Sequence, residues 1–241
     1  MTDERPGDEP TDPGPDLDPE TEIEFLGWPP DGPSLRLDYR RFSYAGKFVM
    51  TNTGKAVVRT RAGTDVDDRT ETAVDKSGTE HESEFDDDVL AAVAFNEDRT
   101  DGKTLWLRYV TVRQDLRGEG IGPQLLHTVR DRALERGYDR LKIAVNNPFA
   151  FEALARVGFG YTGETTGIAE LVLEYPPSEP TDEADASTRY RQGLGEFRGR
   201  DLTDAEVRFL EEKLERGPPR LIDEEDGQPI GSTDGDDASA E

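Results

Sequence analysis

The chain has 241 residues and a formal charge of −25, from 54 Asp and Glu against 29 Lys and Arg, and only 33% of it is hydrophobic. This predicts a soluble, cytoplasmic protein with one folded domain and unstructured acidic parts, and it argues against a nucleic-acid partner, which needs a basic face. With no cysteine there are no disulfides, thiolate metal sites or cysteine nucleophiles; His81 and His127 are too few and too far apart to suggest a metal; and no apolar run approaches the roughly 20 residues of a membrane span.

The chain opens on an acidic, Pro-rich segment (1–24), in which acids outnumber bases by 9. It reads as disordered and is the opposite of a signal peptide. "SLRLDYRRF" (34–42) alternates Leu35, Leu37 and Tyr39 with polar residues and predicts a strand. "KFVMTNTGKAVVRTR" carries Asn52-Thr53-Gly54 between two β-rich runs and predicts a hairpin. An acidic linker follows at 62–88, again with an excess of 9 acids. "DVLAAVAF" (88–95) and "TLWLRYVTV" (104–112) flank a loop with Asp101-Gly102, a second hairpin. Then the period changes: Ile121, Leu125, Leu126, Val129, Ala133 and Leu134 share one helical face, and Gly137 closes the helix. "RLKIAVN" (140–146) returns to strand, "PFAFEALARVGF" (148–159) opens a short helix on Pro148, and "GIAELVLEY" (167–175) is a last strand. The order gives an α+β domain over 25–175.

Beyond it, the tail 176–241 carries 11 more acids than bases and reads as largely disordered. Within it, Thr203 and Glu206 form a capping box, and Val207, Leu210 and Leu214 make a narrow apolar stripe, predicting a helix near 203–216 that docks on the core or meets a partner. Without the three acidic segments the rest is mildly basic, with 18 bases and 14 acids. The appendages read as solvating charge; with 6 Lys against 23 Arg, the composition suits a salt-rich, halophilic cytoplasm.

Gly118, Gly120 and Gly122 cluster beside Arg117, between a strand and a helix. The first N–H groups of a helix lack partners and its dipole favours negative charge, so glycines there let backbone amides approach a phosphate. The spacing is neither the G-x-G-x-x-G of a dinucleotide fold nor a Walker loop, since no Gly-Lys-Ser/Thr follows.

"VTVRQDLRGEGIGPQLL" resembles the acyl-CoA signature of the GNAT (Gcn5-related N-acetyltransferase) superfamily, with Arg117, Gly120 and Gly122 on its loop pattern. A second family motif, an Asn after the next strand and then a short helix ending in Gly-Phe, is matched by Asn147, Ala150, Gly158 and Phe159. The resemblance covers 88–175 and implies a GNAT-like mixed, largely antiparallel sheet with helices on both faces. It implies acetyl-CoA as cosubstrate, no metal, and an amine-bearing small molecule or protein as acceptor. It further implies that strands 104–112 and 140–146 splay apart, with coenzyme contacts from Val110, Val112, Arg117, Gly118, Gly120, Ile121, Gly122 and Asn147. An amide N–H near Val110 would polarise the thioester carbonyl.

Two departures stand out. Where many members place a Tyr acid, seven residues after the Asn, this chain has Leu154. Tyr109 and Tyr161 are the substitute candidates. Where many carry a Glu base on the strand before the loop, this chain has Arg108, Tyr109 and Thr111; Glu170 is the remaining candidate. The basic run Arg130, Arg132, Arg136 and Arg140 reads as a mostly solvated face, with one side chain a candidate for the coenzyme's 3′-phosphate. The acidic linker would favour a cationic acceptor if it walls the acceptor side. Two functions remain open, an N-acetyltransferase and a non-catalytic acyl-CoA-binding module, as monomer or homodimer. An enzyme confined to 25–175 is expected to survive truncation at 176.

Overall fold

Seven strands form one open sheet in the order β1-β2-β3-β4-β5-β7-β6 in a computed structural model that describes residues 21–61, 84–177 and 183–222. The strands are β1 (Thr21–Gly27), β2 (Gly54–Thr60), β3 (Val89–Glu97), β4 (Thr104–Val112), β5 (Arg140–Val145), β6 (Gly160–Thr165) and β7 (Leu171–Tyr175). Helices α1 (Ile121–Glu135), α2 (Pro148–Ala155), α3 (Glu183–Gly195) and α4 (Asp204–Arg216) complete the described chain. Only β4 and β5 are parallel; every other neighbouring pair is antiparallel. Among the described residues, no helix is long and apolar enough to cross a membrane.

Two cores fill the two faces. The larger joins Leu105, Leu107, Leu141 and Ile143 of the sheet to Leu125 and Val129 of α1, Phe151 and Leu154 of α2, Leu194 of α3 and Leu210 of α4. The smaller, on the opposite face of β2–β4, is closed by Leu35, Leu37, Phe42 and Phe48 from the irregular segment before β2, whose helical part is the 3-10 turn Ala45–Lys47.

The expected 88–112 hairpin, the helix after the glycines and the strand at 140 are all present. Gly137 follows α1 in a Schellman arrangement, its N–H donating to Leu134 O (2.9 Å) and Tyr138 N–H to Ala133 O (3.1 Å).

Elsewhere the structure corrects the expectations. Residues 34–42 are not a strand: Leu35 and Leu37 are buried as the alternation requires, but on the face of the sheet, because β1 holds the free edge of β2. The hairpin expected around Asn52-Thr53-Gly54 is therefore absent, and only its second half is a strand. The acidic N-terminal segment ends earlier than 24, since Thr21–Gly27 is β1, whose Glu22 and Glu24 pair with Arg61 and Arg59 along the sheet edge. The last strand starts at Leu171 rather than 167, and β6 was not anticipated.

The largest difference lies in the tail. Helix α3 buries Tyr190 and Leu194, the short turn Glu196–Gly199 buries Phe197, and α4 buries Leu210, all in the larger core. The helix expected near 203–216 is α4, with its capping box in place; Thr203 N–H donates to Glu206 at 2.8 Å. Val207, placed on its apolar stripe, is instead 40% exposed. The remaining parts of the three acidic segments (1–20, 62–83 and 178–182 with 223–241) and His81 lie outside the described residues.

Candidate active site

The site begins with a fault in β4. Phe95 of β3 pairs with Leu107 and Ala94 with Tyr109, so Arg108 is an extra residue, a β-bulge. The bulge resets the side-chain alternation: Leu105 and Leu107 face the larger core, and beyond it Val110 and Val112 face that same side. Bulges bend the strand that carries them, and β4 leaves β5 at this point. Their pairing runs only from Thr104↔Arg140 to Leu107↔Ile143. From Arg108 to Val112 the β5-facing edge of β4 has no strand beside it, while β3 still pairs with β4 as far as Val112.

The split opens into a cleft of about 1020 Å³, bounded on one side by Val110–Val112 and the glycine loop, and on the other by Asn146, Asn147 and α2. The expected coenzyme residues Val110, Val112, Arg117, Gly118, Gly120, Ile121, Gly122 and Asn147 all line it. Gly118 (φ 90°) and Gly120 (φ 82°) take left-handed conformations that a side chain would strain. A Cβ on Gly122 would lie 3.2 Å from Val112 Cγ2, so the start of α1 and the end of β4 approach as closely as glycine permits. Helix α1 has no side-chain cap and no acid in its first turn, which leaves its first N–H groups to whatever enters the cleft.

Arg117 turns across the mouth, donating from its terminal nitrogen to Ser43 Oγ (2.9 Å) and from Nε toward Val112 O (3.4 Å). The Asn147 carboxamide caps α2: its oxygen accepts from Ala150 N–H (2.9 Å) and its nitrogen donates to Asn146 Oδ1 (3.2 Å). Its role is thus first to fix the start of α2.

The tyrosines expected as acids are placed elsewhere. Tyr161 is 6% exposed in the core against Phe151, where burial raises its pKa above the ordinary value of 10.0. Tyr109 points to the smaller core, 6.0 Å from the ring of Tyr44 and 6.5 Å from that of Phe48. Among the described residues, neither borders the cleft; Tyr44, half-exposed beside Ser43, does. Leu154 borders the cleft as an apolar wall, 1% exposed. Glu170 lies in the turn before β7, its N–H donating to Thr166 Oγ1 (3.2 Å), and is not part of the cleft.

The basic run is a solvated face only in part: Arg132 is exposed and pairs with Glu135 at 2.8 Å. Arg130 is 5% exposed, donates to Val157 O (2.8 Å) and covers the Tyr175 ring; Arg136 covers Trp28, and Arg140 pairs with Glu174 at 2.9 Å. None of the four borders the cleft. Sequence reasoning missed Ser43, Tyr44, Glu152, Phe209 and Lys213, which do. Only the capping box of α4 announced any of them, and it gave the helix without its position.

Residues 54–159 match the family model described as the acetyltransferase (GNAT) family. Over that stretch, a little under half of the chain, the sequence is similar to the GNAT acetyltransferases. The glycine loop, the split strands and Asn147 all fall inside the matched stretch, whereas Ser43 and Tyr44 precede it and α3 and α4 follow it. An N-acetyltransferase from Staphylococcus aureus Mu50 is similar at 18% identity over 51% of this chain and 66% of its own, with a TM-score of 0.35. The IAA acetyltransferase from Bacillus cereus is 17% identical over 64% of this chain and 97% of its own, TM-score 0.38. The PaiA N-acetyltransferase from Thermoplasma acidophilum, solved in complex with coenzyme A, is 16% identical over 36% of this chain and 52% of its own, TM-score 0.31. The chain thus spans under two thirds of the first and about half of the last. Among curated proteins, none matches the sequence significantly.

Proposed function

We propose that the protein transfers the acetyl group of acetyl-CoA to an amine by direct attack. The observation that carries this is the split between β4 and β5 facing an uncapped, glycine-lined helix start. The residues suit the coenzyme: amides of 118–122 suit a diphosphate, and the unpaired edge Arg108–Val112 suits an amide-bearing arm that adds itself as a strand. Acetyl-CoA brings an activated thioester. An N–H near Val110 is suited to polarise its carbonyl, and the apolar Val110, Val112 and Leu154 exclude water. The amine nitrogen forms the new C–N bond, the C–S bond breaks, the sulfur leaves as thiolate, and the ammonium proton passes to solvent.

A second reading, a module that binds acyl-CoA without turnover, is favoured by one specific feature. No carboxylate stands on β4, and Leu154 occupies the usual acid position. One experiment separates them. Titration calorimetry with coenzyme A tests the site, and acetyl-CoA-dependent thiol release over a panel of diamines, aminoglycosides and basic peptides, at low and high salt, tests turnover. Heat with no thiol release for any amine leaves the binding module; no heat removes both readings.

A further inference from the structure

The cleft has a wall that the matched domain does not supply. Phe209 and Lys213, one turn apart on the inward side of α4, line the same cavity as the glycine loop, although the family match ends at Phe159. We propose that α4 is the far wall of the coenzyme site, with Phe149 and Phe209 forming an aromatic shelf for the adenine base and Lys213 giving its ammonium to a phosphate of the same nucleotide. The inference rests on the coenzyme reading above and assigns its nucleotide end to residues of this chain.

The shelf is built and partly bare. The rings of Phe149 and Phe209 lie 4.5 Å apart, and Phe149 keeps 45% of its surface exposed on the cleft. A half-covered aromatic face in a cavity is what a base stacks on. The cation is held against it: Lys213 Nζ lies 5.2 Å from the Phe209 ring, 3.8 Å from Glu152 and 3.3 Å from Glu212. Its side chain is only 13% exposed, so the ammonium does not swing free in solvent. Glu152 is fixed in turn by the hydroxyl of Tyr190 on α3. Leu210, 3% exposed, anchors the helix between Phe209 and Lys213 in the larger core. The one acid of α4 on the cleft, Glu206, is engaged at the helix start by Thr203. The volume fits as well: about 1020 Å³ lies at the top of the range for small-molecule sites, with room beyond a pantetheine arm. Arg117 on the loop side and Lys213 on the α4 side bracket that room with positive charge.

The test titrates coenzyme A, and separately pantetheine, which lacks the nucleotide, into the full chain as wild type, Phe209→Leu and Lys213→Gln. Leucine keeps the apolar bulk that seats the helix, and a melting curve for each variant checks the fold. Phe209→Leu should weaken coenzyme A about tenfold, within the span of a lost base stack, and Lys213→Gln several-fold with a shallower salt dependence. Pantetheine binding should match wild type in both. Wild-type affinity for coenzyme A in both variants overturns the proposal while the coenzyme site stands. So does an equal loss for pantetheine, which would make the helix a structural prop. If the wild type takes up no coenzyme A, the reading beneath fails, and this one with it.

Discussion

The two halves of β4 have the same neighbour on one side and opposite fates on the other. From Thr104 to Leu107 the strand is zipped to β5 and Leu105 and Leu107 are sealed in the core; from Arg108 to Val112 the ladder to β3 continues but the β5 edge is open. One extra residue separates them. Pairing is withheld at a chosen point, and under the proposed function stability and coenzyme binding divide along this single strand. The sharpest break would come from the open half. Gly122→Val puts a branched side chain where even a Cβ lies 3.2 Å from Val112. Coenzyme A binding by calorimetry should fall more than about a hundredfold, the loss of more than 2.7 kcal/mol. Retained binding would mean that the open half is not the site.

The zipped half should give the reverse pattern. Leu141 and Leu107 are almost wholly buried across the β4–β5 seam. Truncating either to alanine should cost about 2–5 kcal/mol in urea unfolding, while the folded fraction binds coenzyme A within about twofold of wild type. A large affinity loss would show that the seam and the cleft are coupled rather than divided.

How much of this was legible in the sequence follows the same division. The helix after the glycines, the 88–112 hairpin and the strand at 140 could be read because each announces itself locally, through period, turn residues or caps. Residues 34–42 misled because Leu35 and Leu37 alternate faithfully, and alternation reports which side chains are buried, not whether a sheet edge is free to receive the strand. Conversely, "TEIEF" alternates too, but its acids placed it with the disordered flank. The bulge at Arg108 left no mark, since it exists only relative to β3. The wall formed by Phe209 and Lys213 lies some 60 residues beyond Asn147 in sequence; its helix was legible from the capping box, but not its place on the cleft, and an acidic tail composition hid α3 that packs beside it. The expectation that truncation at 176 leaves an enzyme intact is reversed: it would remove Tyr190, Leu194, Phe197 and Leu210 from the core.

A subtler test probes how firmly that added wall is attached. Burial pushes the Glu152 carboxyl above the ordinary glutamate value of 4.5, against the lowering effects of the Tyr190 hydroxyl and Lys213. The folded state therefore prefers the proton. The resulting stability is fully present below the unfolded value and declines as pH rises through the raised folded one. Glu152→Gln should flatten the decline in unfolding free energy measured as pH rises above the ordinary glutamate value of 4.5. An unchanged slope would place the pH dependence elsewhere.

The smallest effect is expected from the phenols. Tyr44 borders the cleft and Tyr109 packs behind it, their rings 6.0 Å apart. A coenzyme A thiol is acidic enough to leave without a proton donor, so an acid here is a convenience. Tyr44→Phe should lower kcat by less than about tenfold and leave the KM for acetyl-CoA unchanged, because the hydroxyl would act only as the C–S bond breaks. Tyr109→Phe, which keeps the ring that fills the smaller core, should leave both constants near wild type. If Tyr109→Phe is the more damaging of the two, the open half of β4 contributes chemistry from its far face as well. The division between a binding edge and a packing edge at Arg108 would then have to be redrawn across the strand instead of along it.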